Sequence, residues 1–280
     1  MEIKMKSTSV ATMLTALLFA ASQAALAQEP IPLEQEAATY ADCCCAAGCG
    51  SSWYASLEAT IFKFHESGGI RNADASESDD MGYEVFPRIE IGRIDCDGWG
   101  TRARFWMFED SVNLPNDGLI DIETYNIDLE VFQTLDINEC TAVELAVGLR
   151  YNSFEMFEEG EDGNVDFDGF GLTFGVEARR ATCGGNMYAK ARFSILTGDI
   201  EYDDVDAVTD GTYDNHISDQ LELGVGYQWC RCMFTGSTVN LRVGYELQRW
   251  SEYGVADTND DDYLLDVGFA GFVAGGTIEF

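Results

Sequence analysis

An all-β fold, an antiparallel membrane-spanning barrel of about ten strands, is what this sequence predicts, and three observations predict it. Apolar and polar residues alternate with a period of two in stretch after stretch, as in strands with one face of each kind. The amino terminus reads as an export signal, and nothing after it reaches the roughly 20 apolar residues of a membrane helix. Short turns and long acidic loops alternate strictly along the chain.

Lys4 and Lys6 precede an apolar run from Val10 to Ala21, and Ala25-Leu26-Ala27 stands before Gln28. Charge, core and small-residue cleavage site together make residues 1–27 a secretory signal peptide rather than a buried helix. The absence of Cys directly after the site argues against a lipid anchor. Residues 28–51 form a Cys-rich periplasmic segment, and residues 52–280 the barrel of an outer membrane.

Trp53, Ala55, Leu57, Ala59 and Ile61 open the alternation, and Tyr83, Val85, Ile89 and Ile91 continue it. Trp99, Ala103, Phe105 and Met107 face away from Arg102 and Arg104. Tyr125 to Val131 and Val143 to Leu149 repeat the pattern, as do Phe170 to Val176 and Ala189 to Ile195. Leu221 to Trp229 and Val239 to Leu247 give the clearest hairpin, and the last segment ends at Phe280. Each stretch matches the ~9 to 11 residues that cross a bilayer at barrel tilt.

Short turns fall near Cys96, Cys140, Cys183 and Cys230, and longer loops near Asp79, Asp117, Glu159, Asp204 and Asp260. Short periplasmic turns and long outer loops are the asymmetry of such barrels, so both termini belong on the periplasmic side. Closure removes the sheet edges that hydrocarbon would leave without hydrogen bonds.

With lipid outside, the Leu, Val, Ile and Phe row contacts it, Trp53, Trp99 and Trp229 form a girdle near the short turns, and Tyr83, Tyr125 and Tyr151 one toward the loops. The charged row then faces the lumen: Glu58, Glu84, Arg88, Glu90, Arg102, Arg104, Asp128, Glu130, Glu144, Arg150, Glu177, Lys190, Arg192, Glu222, Arg242 and Glu246. Among these, Glu58, Arg102, Arg104, Glu130, Arg150, Glu222, Arg242 and Glu246 are the candidate lining of a pore. A salt-bridged plug that conducts nothing is the competing outcome, because side chains nearly fill small barrels.

A net charge of -34 on 280 residues excludes nucleic acid as a partner, while 46% hydrophobic and 12% aromatic content excludes disorder. Of the 9 cysteines, Cys43, Cys44, Cys45 and Cys49 precede the first strand, and Cys96, Cys140, Cys183, Cys230 and Cys232 lie at the short turns. All map to one oxidising rim, so disulfides between segment and turns are expected, with one thiol left over. Cys43-Cys44-Cys45 lacks the spacer of a zinc knuckle, and no metal site is expected.

The loops His65 to Met81, Phe154 to Asp168, Gly198 to Asn215 and Ser251 to Asp262 are strongly acidic. Solvation, a field drawing cations to the mouth, and cross-linking by divalent cations are the readings open to them. Asn164-x-Asp166-x-Asp168-Gly169 resembles the start of a calcium loop, but Gly175 stands where its twelfth residue should be Glu. Only His65 and His216 offer imidazole. Asp214-x-His216 is similar to the Asp-His pair of the omptin proteases, with Asp79 and Asp80 as a second acidic pair, yet such spacing is common in acidic loops. No Ser motif supports a phospholipase, and no catalytic residue or cofactor is expected.

Tyr125 to Tyr151 (YNIDLEVFQTLDINECTAVELAVGLRY), Phe167 to Val176 (FDGFGLTFGV), Leu221 to Cys232 (LELGVGYQWCRC) and Leu241 to Trp250 (LRVGYELQRW) resemble the Legionella-type pore-forming outer-membrane proteins, in the branch common in planctomycete-like bacteria. The resemblance implies an outer-membrane location and a porin-type role, and brings no catalytic residues. The expected function is passive diffusion of small hydrophilic solutes with a cation bias from the acidic mouth. The alternative is a closed structural or adhesive barrel.

Overall fold

The computed structural model describes residues 51–67, 82–114, 118–138, 140–158, 163–182, 184–203, 211–233, 237–258 and 261–280. Residues 1–27, read as a signal peptide from the sequence, residues 28–50 with Cys43, Cys44, Cys45 and Cys49, and Asp79, Asp80 and Cys183 lie outside the described residues. Ten strands follow one another: β1 (Ser52–Ser67), β2 (Glu84–Ile94), β3 (Trp99–Leu114), β4 (Gly118–Asn138), β5 (Thr141–Glu158), β6 (Gly163–Thr182), β7 (Gly185–Asp203), β8 (Gly211–Cys232), β9 (Thr238–Thr258) and β10 (Asp261–Glu279). Each pairs antiparallel with its chain neighbours, and β1 pairs with β10, so the sheet closes into a barrel. The two ends of the barrel chain meet at the short-turn rim, where Trp53 and Phe280 exchange both backbone hydrogen bonds at 2.9 and 2.8 Å.

The turns explain the tight rim. Asp95 to Gly98 closes β2 onto β3, with Gly98 donating to the Asp95 carbonyl at 3.0 Å. Gly98 sits at φ +81°, a left-handed conformation, and a Cβ there would strike the Thr134 carbonyl of β4. Cys96 and Cys140 are exposed in the short turns and Cys230 and Cys232 lie at the end of β8. Cys140 is exposed and carries a free thiol, Cys232 is disulfide-bonded, and Cys43, Cys44, Cys45 and Cys49, the expected partners of the turns, lie outside the described residues.

Through the middle of the barrel the apolar residues point outward in unbroken rows across the sheet. Leu129 pairs with Leu149, Leu149 with Leu172 and Leu172 with Ile195. Two outward rows nearer the short turns, Leu145, Val176, Ala191, Leu223 and Leu247 are likewise in register. Leu129 is 58% exposed and Val225 59%. A continuous exposed belt of this kind would drive aggregation in water and is stable against hydrocarbon. Trp53, Trp99 and Trp229 stand exposed at its lower edge.

Two features differ from the sequence expectation. The strands run to 22 residues in β8 and 21 in β4 and β9, about twice what a bilayer needs. Most of what reads as long acidic loop is continued ladder: β5 and β6 pair as far as Glu158 with Gly163, β7 and β8 to Tyr202 with Gly211, and β9 and β10 to Thr258 with Asp261. The Asn164 to Gly169 stretch is strand, not a cation-wrapping loop.

The second difference is inside. Phe62, Phe64, Trp106, Phe108, Ile122, Phe154, Phe167, Leu196, Ile200, Trp250, Val267 and Phe269 are buried within the upper barrel, toward the acidic hairpins, so not every Phe row meets lipid. Above the belt the outer face meets water, so the carboxylates move outside and the apolar residues inside. The alternation keeps its phase and inverts its polarity.

Candidate functional site: the barrel interior

The structure turns Glu58, Arg102, Arg104, Glu130, Arg150, Glu222, Arg242 and Glu246 into the barrel. Strand alternation puts them there, and register brings opposite signs together. Arg102 stands opposite Glu130, and Arg104 and Arg150 flank Asp128.

The ion pairs form one connected system of alternating sign. From Glu90 it runs to Arg102 (3.8 Å), Glu144 (2.6 Å), Arg179 (2.8 Å) and Glu177 (3.3 Å). It continues to Arg242 (3.1 Å), Glu58 (3.1 Å), Arg88 (3.2 Å), Glu246 (2.5 Å) and Lys190 (2.6 Å). A branch from Arg102 passes through Glu130 (2.5 Å), Arg192 and Asp128 (3.0 Å) to Arg150 (2.6 Å) and Glu222 (2.6 Å), with Arg104 also on Glu222 at 3.0 Å. Eight carboxylates thus meet eight cationic side chains, and the interior carries no net charge within this system. The large negative charge of the chain lies elsewhere.

Arg150 is the most completely enclosed cation of the lattice. Its guanidinium donates to both oxygens of Asp128 at 2.6 and 2.9 Å, to Glu222 at 2.6 Å and to Gln220 at 2.6 Å. Gln220 in turn donates to the Tyr253 hydroxyl at 2.8 Å, tying the charged layer to the aromatic one above it. Trp106 donates from Nε1 to the Thr60 hydroxyl at 3.1 Å, and Thr60 donates in turn to the Phe86 carbonyl at 2.9 Å.

The aromatic layer fills the upper lumen. Phe269 meets Phe108 and Trp250 with ring centroids 4.9 Å apart and Trp106 at 5.4 Å, while Tyr253 meets Phe167 at 4.8 Å and Phe154 at 5.6 Å. Edge-to-face pairs of this kind contribute roughly 0.5–1.5 kcal/mol each beyond area burial. Much of the charged lattice lines a cavity of about 240 Å³ that reaches the short-turn rim at Ile94, Thr134 and Glu279. From that rim upward the lumen is therefore a cavity walled by the charged lattice, and above it an apolar plug.

Sequence alternation found fifteen of these sixteen groups; Arg179 was missed because Ala178-Arg179-Arg180 breaks the pattern, although it stands two residues from Glu177 on the same face. Glu84 was placed in the lumen and is exposed at the upper end of β2. Gln220, Tyr253 and Thr60 carry no charge and gave no signal. His216 turns inward on β8 with Nε2 3.5 Å from Glu252, edge-on to Phe167, whereas Asp214 is exposed. Between them Asn215 adopts φ 57° and donates its N–H to Asp199. Among the described residues no three His, Cys, Asp or Glu side chains are grouped to hold a metal ion.

No curated protein matches the chain. Among solved structures, the translocator domain of the autotransporter NalP from Neisseria meningitidis is 12% identical over 96% of each chain with a TM-score of 0.47. The β domain of the Bordetella autotransporter BrkA is 13% identical, covering 82% of this chain and all of that one, with a TM-score of 0.44. Neisserial surface protein A is 15% identical over 82% of this chain and 99% of that one, with a TM-score of 0.33. At such identities and scores nothing about function passes to this chain. The sequence itself is decisive: residues 100–280 match the family model described as the Legionella pneumophila major outer membrane protein precursor, and the chain belongs to that family.

Proposed function

We propose that this outer-membrane barrel is a porin-type protein that rests closed and passes small hydrophilic solutes by diffusion when the aromatic plug yields. The single observation that carries the reading is the charged lattice beneath the plug. Buried ion pairs can usually be replaced by apolar residues at little or no loss of stability, so stability alone does not call for sixteen charged groups in the lumen. A polar route does. Since the lattice is neutral, a cation bias arises at the acidic outer end. Outer-membrane lipid and small solutes or cations are the partners in this reading; export by the signal peptide belongs to it, and it includes no catalytic chemistry.

The completeness of the plug favours one rival, a permanently shut barrel with a structural or adhesive role. Planar-bilayer recording separates them. The porin reading expects rare, small steps from the folded wild type, and larger and more frequent ones from Phe108→Ala with Phe269→Ala, reversing toward the cation equilibrium potential. Silence from both proteins, each shown to be folded, rejects it.

A further inference from the structure

We propose that the cavity at the short-turn end is a binding site for a small zwitterion of the α-amino acid class. This names the solute of the porin reading and rests on it.

The argument starts from the wall of the cavity. Glu90, Arg102, Glu144, Arg179, Glu177 and Arg242 line it as an unbroken alternation of sign, each in contact with the next. An ion of one sign entering here gains an attraction but leaves one charge unbalanced in a confined, partly desolvated space, which is costly. A solute carrying both signs, a few ångströms apart, adds two attractions and keeps the balance.

The wall is also strong in some links and loose in others. Nε of Arg179 stands 3.3 Å from Glu177 and Nε of Arg242 3.1 Å from Glu58, but neither is aligned for a hydrogen bond, and both atoms are buried. Arg179 and Arg242 flank Glu177 on the cavity wall, and they are the cations that a solute carboxylate meets there. The matching ammonium would sit against Glu144 or Glu177. Arg179 is the most exposed cation of the lattice at 29%, so this corner is reached first from the rim. The volume, about 240 Å³, suits one small solute.

The test uses the full chain folded in detergent micelles, with binding read by isothermal titration. L-alanine is compared with propionate, which lacks its ammonium, and ethylammonium, which lacks its carboxylate. Saturable L-alanine binding is expected, with each single-charge probe weaker by about tenfold or more, the effect of one lost charge-assisted contact. Arg179→Gln should weaken L-alanine by about tenfold, and Arg93→Gln, on an exposed ion pair at the same end, should leave it unchanged. Equal binding of either single-charge probe, no saturable L-alanine binding, or L-alanine binding unmoved by Arg179→Gln overturns the assignment. Bilayer conductance is measured on the same protein: conductance without L-alanine binding sinks the solute class alone, and binding without conductance sinks the porin reading alone.

Discussion

Replacing Arg150 by Met removes the best-enclosed cation of the lattice while keeping the length of the side chain. Its guanidinium is 1% exposed and makes four hydrogen bonds to Asp128, Glu222 and Gln220. Two carboxylates, themselves 1% and 4% exposed, lose their shortest contact. Truncating one partner of a buried pair ordinarily costs about 3–5 kcal/mol, because the remaining charge is left uncompensated. Here Arg104 stays in contact with both acids and Arg192 with Asp128, so Arg150→Met should fall at the low end, about 3 kcal/mol. Adding Glu222→Gln restores the charge balance and should recover a third or more of the loss. The assay is reversible urea unfolding in lipid vesicles, followed by the fluorescence of the 5 tryptophans. A loss below about 1 kcal/mol, the range of an exposed pair, or a double variant weaker than the single by the full cost of Glu222→Gln, would refute a coupled buried lattice.

Three further outcomes are expected. Phe269→Ala opens the centre of the plug and should cost about 3–5 kcal/mol, the usual range for a buried aromatic, in the same unfolding assay. On the outer wall above the belt, Glu109, Glu123, Glu155, Asp166 and Glu201 lie directly opposite one another across five strands; like charges so placed are destabilising, and Glu155→Gln should stabilise by about 0.5 kcal/mol. Burial, with Glu155, Asp168 and Glu201 nearby, pushes the Asp166 carboxyl above the belt up to about 6. A raised carboxyl binds its proton more tightly in the folded state, so its contribution is full below the unfolded value near 3.8 and lost as pH rises through 6. Hydrogen exchange of the β5–β6 hairpin, corrected for intrinsic rate, should accordingly be slower toward the acid side of that window, and Asp166→Asn should abolish the dependence.

How far the fold can be read from the residues depends on which medium each strand segment meets. Within the bilayer the rule is plain: Phe170, Leu172, Phe174 and Val176 outward, Gly171, Thr173, Gly175 and Glu177 inward, and the sequence yields both faces. The same strand β6 continues toward the acidic hairpin with Val165 and Phe167 inward and Asp166 and Asp168 outward, the arrangement of an ordinary soluble sheet. Read for a single polarity, that inversion looks like the start of a loop. β3 repeats the lesson, with Arg102 and Arg104 below and Trp106 and Phe108 above on one inward face. The lattice members were legible because charge on a regular face stands out. Its closure into a neutral whole depends on pairings between distant strands, such as Arg88 with Glu246, and those were not. The plug was hidden because a Phe has the same appearance whether lipid or another Phe surrounds it.

The central claim is that hydrocarbon borders the middle of the barrel wall, and a nitroxide on Leu172→Cys in lipid vesicles tests it most directly. High collision with dissolved oxygen together with low collision with a water-soluble nickel chelate is the predicted result. Strong collision with the chelate, or protection from both reagents by packing against another protein surface, would contradict it.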